Sequence, residues 1–128
     1  MNQDHKKILV VDDDPDIGLM IKTMLEYHGY AVEVSDKAER VTDLVGSGRF
    51  SLLIMDMLLS GVNGIDICSS LKNDPKLSHV PVIMISAHPN AKAICQEAGA
   101  EAFISKPFDI QEMLSKIGLY VPSGNGIK

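Results

Sequence analysis

Five short apolar runs, each followed by a stretch with helical spacing, constrain this chain more than any other feature. The runs are KILVV (7–11), AVEV (31–34), SLLIM (51–55), VPVIMIS (80–86) and AFIS (102–105). After the first, Ile17, Met20, Ile21, Met24 and His28 recur every three or four residues, the stripe of an amphipathic helix that Gly29 ends. Ala38, Val41 and Val45 mark a second helix closed by Gly46. Ile67, Cys68 and Leu71 mark a third, beyond a loop at Gly61–Gly64. Ala91, Ile94, Cys95 and Ala98 mark a fourth, and Ile110, Met113, Leu114 and Ile117 a fifth.

Strands that alternate with helices form a parallel sheet covered on both faces, and three of these five runs are continuously apolar, as central parallel strands are. AVEV alternates apolar and polar residues, as an edge strand does. The expected fold is therefore α/β: a doubly wound, five-stranded parallel sheet with five helices. The flavodoxin-like strand order 2-1-3-4-5 would set the first and third strands side by side. In such sheets ligands collect beyond the carboxyl ends of the strands, at the point where the order reverses.

At 128 residues the chain is read as one domain, with a core at about 7–120 and a flexible tail, PSGNGIK, at 122–128. The polar start MNQDHKK has no signal-peptide apolar region and no stretch reaches membrane-span length, so a cytoplasmic location is expected and no membrane contact. The net charge of −5 and the lack of a basic run argue against direct nucleic-acid binding. Cys68 and Cys95 have no metal or disulfide spacing and fall at apolar helical positions, which reads as core packing. The seven methionines read mostly as core. His5 and His79 read as surface loop residues, and no histidine spacing suggests a metal cluster.

The chemistry concentrates at the strand ends. VVDDDP follows the first strand: Asp14, Pro15 and Asp16 are ordinary residues for the start of a helix, but capping leaves Asp12 and Asp13 unexplained. The third strand ends in another acid, Asp56. Carboxylates that converge in a low-dielectric crevice repel one another unless a cation is shared among them, and an all-oxygen ligand set suits Mg²⁺. Lys106, in ISKPF after the fifth run, is either a solvated loop charge or the cation that balances Asp56. Ser86, which ends the fourth run, is either a strand-end cap or a hydroxyl offered to the same mouth. Taken together these groups make a phosphate-handling site.

This set resembles the receiver domain of two-component response regulators from about Lys7 to Tyr120, through ILVVDDDP, LLIMD, Gly64, MISA and SKPF. The resemblance implies that Asp56 accepts a phosphoryl group from a histidine kinase or a histidine phosphotransfer protein. It implies Mg²⁺ held by Asp12, Asp13, Asp56 and the carbonyl of Leu58, with Lys106 and Ser86 on the phosphoryl oxygens. Ser86 and Phe103 would be the switch pair, acting on the face of the fourth helix, fifth strand and fifth helix and so on a downstream effector domain or protein. The Lys106–Pro107 bond would be cis. Such a domain is not a conventional enzyme; its expected chemistry is Mg²⁺-dependent self-phosphorylation and slow hydrolysis of the aspartyl phosphate, at a rate set by Leu58 and His88 at the mouth.

The chain departs from the pattern where Ser60 replaces a common proline and where the stretch from Ser86 to Lys106 is short, which predicts a short fourth helix or a short loop before it. Glu101 and Ala102 replace an acidic pair found in many winged-helix regulators, so their dimer mode is not carried over. Three rivals fit less well. A haloacid-dehalogenase-type phosphatase would place a second acid two residues after Asp56, where Leu58 stands. A flavin mononucleotide binder would use hydroxyls and glycines where this chain has three acids. A degenerate receiver acting only as an interaction module would not need every motif position.

Overall fold

The computed structural model describes residues 7–59, 61–88 and 90–121; Ser60, His5 and the tail at 122–128 lie outside the described residues. In chain order the elements are β1 (Lys7–Val11), α1 (Pro15–Tyr27), β2 (Ala31–Ser35), a 3₁₀ turn (Ala38–Arg40), α2 (Val41–Gly46) and β3 (Phe50–Asp56). Two short strands follow, β4 (Leu58–Leu59) and β5 (Val62–Asn63), then α3 (Gly64–Asn73), β6 (Val82–Ser86), α4 (Ala91–Glu97), β7 (Ala102–Ser105) and α5 (Ile110–Gly118). The main sheet is parallel and ordered β2-β1-β3-β6-β7, the expected 2-1-3-4-5 order once the small hairpin is set aside.

Successive strand residues point to opposite faces, and the core divides accordingly. Leu9, Val11, Leu53, Met55 and Met84 pack with α2, α3 and α4 through Val41, Leu44, Cys68, Leu71 and Cys95. Ile8, Val10, Leu52, Ile54, Ile83 and Ile85 pack on the other face with α1 and α5 through Ile21, Leu25, Met113 and Ile117. Both cysteines are buried and free, and burial pushes the thiols up, Cys68 to about 11, so both are neutral packing groups at physiological pH.

Four sequence expectations need correction. The buried stripe of α1 is Gly18, Ile21 and Leu25, whereas Met20 is 44% exposed. A Cβ on Gly18 would stand 2.8 Å from Val34 Cγ1, so α1 touches β2 through its glycine, which a count of apolar side chains passes over. Gly46 is the last residue of α2, and the left-handed glycine that turns the chain is Gly48, at φ +81°. The loop read at Gly61–Gly64 holds an antiparallel ribbon, Leu58 paired with Asn63 and Leu59 with Val62. Ile94 is exposed rather than part of a buried stripe. As expected, α4 is short, at 7 residues.

Candidate functional site

Register alone gathers the site. Val11 pairs with Met55, so Asp12 follows β1 beside Asp56, the last residue of β3. Asp56 pairs with Ile85, so Ser86 stands one position beyond it on β6; Ser86 pairs with Ser105, and Lys106 comes next. Backbone bonds lock these tips: Met57 N–H donates to Ile85 O at 2.8 Å, Lys106 N–H to Ser86 O at 2.9 Å, and Gly64 N–H to Met57 O at 2.7 Å. The Lys106–Pro107 bond is cis, as expected.

Among the described residues, the buried polar side chains are Asp12, Asp56 and Ser86, and all three lie at these tips. Lys106 Nζ donates to Asp56 Oδ2 at 2.6 Å and lies 3.8 Å from Asp12 Oδ2. Asp56 Oδ1 accepts the Leu58 N–H at 3.0 Å, and Asp12 Oδ1 accepts the Asp14 N–H at 2.9 Å. Burial works to lower the pKa of Lys106, but the Asp56 bond and the charges of Asp56, Asp12 and Asp14 reverse this, and the ammonium is held above its usual range. Burial raises the Asp12 carboxyl, and the charges of Asp56 and Asp13 add to it; the Asp14 N–H and Lys106 only partly offset that rise.

One acceptor is left over. Asp12 Oδ2 is buried with no hydrogen-bond partner, the Lys106 ammonium standing 3.8 Å away, and a buried carboxylate oxygen so placed is costly unless a cation comes closer. No three His, Cys, Asp or Glu side chains among the described residues are close enough to form a metal cage by themselves. A hard ion that takes one or two carboxylates and fills its remaining positions with water and phosphate oxygens fits such a site. Asp13 is half-buried beside Asp12, and Leu58 is exposed at the mouth.

Asp14 caps α1 through the Asp16 N–H at 2.9 Å, the ordinary role read for it. Ser86 Oγ accepts the His88 N–H at 3.0 Å. His88 in turn accepts twice, with Nδ1 from the Asn90 N–H at 3.1 Å and with its carbonyl from the Ala91 N–H at 3.2 Å, so it joins the serine to the start of α4. Phe103 pairs with Met84 and packs, partly buried, on the core face of α2–α4. Two features escaped sequence reasoning. Lys72 binds the carbonyls of Ser78 and Val80 and the carboxylate of Glu101, at 3.1, 2.8 and 2.7 Å, and an apolar cleft adjoins Lys106.

Comparison with known proteins agrees with this architecture. A family model described as the response regulator receiver domain matches residues 8–118. The DNA-binding dual master transcriptional regulator RpaA of Synechocystis is 31% identical over 113 residues, covering 87% of this chain and 47% of that protein. The DNA-binding response regulator MtrA of Mycolicibacterium smegmatis is 32% identical over 119 residues, covering 91% and 51%. The chain thus spans about half the length of these curated relatives. Among solved structures, a CheY-like receiver domain protein of Methanospirillum hungatei superposes with a TM-score of 0.80 at 28% identity, covering 89% of this chain and 91% of that one. The receiver domain of the Pseudomonas aeruginosa sensor histidine kinase PA1611, solved with magnesium in its active-site cleft, gives 0.82 at 23%, covering 92% and 98%.

The chain belongs to the response regulator receiver domain family, the phospho-acceptor modules of two-component signalling. No helix among the described residues is long and apolar enough to cross a membrane.

Proposed function

We propose that Asp56 is the phospho-acceptor, taking a phosphoryl group from a phosphohistidine on a histidine kinase or phosphotransfer protein. A carboxylate oxygen of Asp56 attacks phosphorus, the P–N bond breaks, and the donor imidazole leaves with the electron pair and takes up a proton. The observation that carries this reading is that the buried polar side chains Asp12, Asp56 and Ser86 share one crevice with a lysine bonded to Asp56. Lys106 is poised to exchange that bond for one to a phosphoryl oxygen, and Asp56 is held in place by the Leu58 N–H. Asp12, Asp13, Asp56 and the Leu58 carbonyl are the candidates to hold Mg²⁺, which when bound supplies neutralisation of the phosphoryl charge.

A phosphoryl oxygen takes the Ser86 O–H as its donor, and the turn of the side chain towards it displaces the oxygen that accepts His88 N–H; His88 carries two bonds to the start of α4. Phe103 follows Ser86 inward, and the α4–β7–α5 face changes for a downstream effector domain or protein. With a net charge of −5, we assign no nucleic-acid contact to this domain. Leu58 and His88 flank the route by which water reaches the acyl phosphate, and they set its lifetime.

Incubation with acetyl phosphate and Mg²⁺, read by intact mass, is expected to add one phosphoryl group to the wild type and none to Asp56→Asn. No gain by the wild type, or equal gain by the variant, defeats the assignment. Omitting Mg²⁺ should abolish the gain.

A further inference from the structure

Lys72 takes no part in phosphoryl chemistry at Asp56, yet its side chain is only 13% exposed. An ammonium has three N–H donors, and here each finds an acceptor: the carbonyls of Ser78 and Val80 and Glu101 Oε2. Glu101, just before β7, is bound through its other groups as well. Its Oε1 accepts the Val82 N–H at 2.7 Å, its own N–H donates to Val82 O at 2.9 Å, and its carbonyl accepts the Tyr120 O–H at 3.2 Å. One residue thus ties the start of β7 to α3, to β6 and to the chain just beyond α5.

The segment that leads from α4 to Glu101 is tied in the same way. Gly99 N–H donates to Gln96 O and Ala100 N–H to Cys95 O, at 3.0 and 3.1 Å, and the Ala98 carbonyl accepts the Cys68 thiol at 3.6 Å. Gly99 crosses the Lys72 stem so closely that a Cβ there would stand 2.9 Å from Lys72 Cγ. The opposite end of α4 is held differently: Asn90 supplies no side-chain cap, and the hydrogen bonds at this end lead through His88 to Ser86.

We propose that Lys72 is a positioning residue for the response: by holding Glu101 it fixes the end of α4 and the base of β7, so that phosphorylation moves the start of α4 and the Phe103 side chain but not the backbone behind them. The proposal rests on the reading in which a phosphoryl group on Asp56 recruits Ser86. Phe103 lies two residues past Glu101. With the strand held there, Phe103 answers Ser86 by turning its side chain; with the strand free, part of the displacement goes into sliding β7 and loosening the end of α4.

Backbone amide exchange followed by nuclear magnetic resonance tests this on the full chain with Mg²⁺, with and without excess acetyl phosphate, the phosphorylated fraction being read by intact mass. In the wild type, phosphorylation should quicken exchange at Asn90 and Ala91 about five-fold, the factor for one hydrogen bond, and leave Gly99 and Ala100 unchanged. In Lys72→Met the quickening on phosphorylation should extend to Gly99 and Ala100. Glu101→Gln keeps an acceptor for the Val82 N–H and loses the ion pair; it should show the same spread, and it serves where Lys72→Met does not fold. A merely structural role would raise exchange at Gly99 and Ala100 equally with and without the phosphoryl group. That result, or a response still confined to the start of α4 in the variants, would overturn the role of Lys72 and leave the Ser86 route standing. A phosphorylated wild type with no change at Asn90 or Ala91 would overturn the Ser86 route itself, and the Lys72 proposal with it.

Discussion

Gly64→Ala pits two effects of opposite sign against each other beside the strand that ends in Asp56. Alanine in place of glycine favours a helix by up to about 1 kcal/mol, and Gly64 opens α3 with no positive φ to forbid the change. The added Cβ, however, would stand 2.5 Å from the carbonyl oxygen of Asp56, 2.9 Å from that of Met57 and 3.1 Å from Met57 Cα. A carbon rests against a carbonyl oxygen at about 3.3 Å or more, and all three neighbours are backbone, so no side chain can swing aside. The helix start must retreat, stretching the 2.7 Å bond from Gly64 N–H to Met57 O. Overpacking costs about 1–3 kcal/mol and a weakened hydrogen bond about 0.5–1.5, against a gain of at most about 1. The net is a loss of about 2 kcal/mol, which for this chain length is a fall in Tm of about 7 °C.

Thermal unfolding followed by circular dichroism measures the fall, and the rate of phosphoryl uptake should drop as well, because the displaced peptide is that of Asp56. Gly118→Ala is the control, since a Cβ there meets nothing within 4 Å. A Gly64→Ala domain as stable as Gly118→Ala would refute the reasoning.

Three shorter tests follow. Asp12 has a native pKa above 3.8, so its ionised form costs stability once the pH rises through that native value; Asp12→Asn should raise Tm at neutral pH, with an advantage that shrinks as the pH falls towards 3.8, and a destabilised variant at pH 7 would contradict this. Lys72→Met leaves two carbonyls and the Glu101 carboxylate without their donor and should cost about 2 kcal/mol in urea unfolding, Glu101 being one-third exposed; a loss below half that would show the cluster to be incidental. His88→Ala removes the acceptor for the Asn90 N–H, and amide exchange at Asn90 should quicken about five-fold, as expected for one exposed hydrogen bond of about 1 kcal/mol; unchanged exchange would show that the ring does not hold α4.

What the sequence revealed and what it hid divide along chain distance. Strand runs, the acids after β1 and β3, the cap at Asp14 and the lysine after β7 are each local signals, and the parallel order then follows from short, regular connections. Gly18 shows where local reading fails: hydrophobic spacing scores side chains, so a contact made by the absence of one shifts the inferred stripe of α1 by a residue. Lys72 lies near the end of α3, and its partners at Ser78, Val80 and Glu101, just before β7, meet it only once the chain has folded. The cleft is assembled from α1, the loop after β6 and the loop after β7, three segments that share no motif.

The proposed response depends on which helices are tied to the strand tips and how. β1, β3 and β6 are the most buried strands, and each hands a polar group to the site from its carboxyl end, so the geometry of Asp12, Asp56 and Ser86 is fixed by the sheet. On α3 the Asn63 side chain caps the Ile65 N–H at 2.8 Å and Gly64 is pinned to Met57, both independent of Ser86. On α4, with 7 residues far below the length at which a helix holds itself, the start hangs on His88, which hangs on Ser86 Oγ. A shift of the Ser86 side chain therefore reaches the start of α4 through one hydrogen bond, whereas a shift of α3 acts on the Met57 carbonyl next to Asp56.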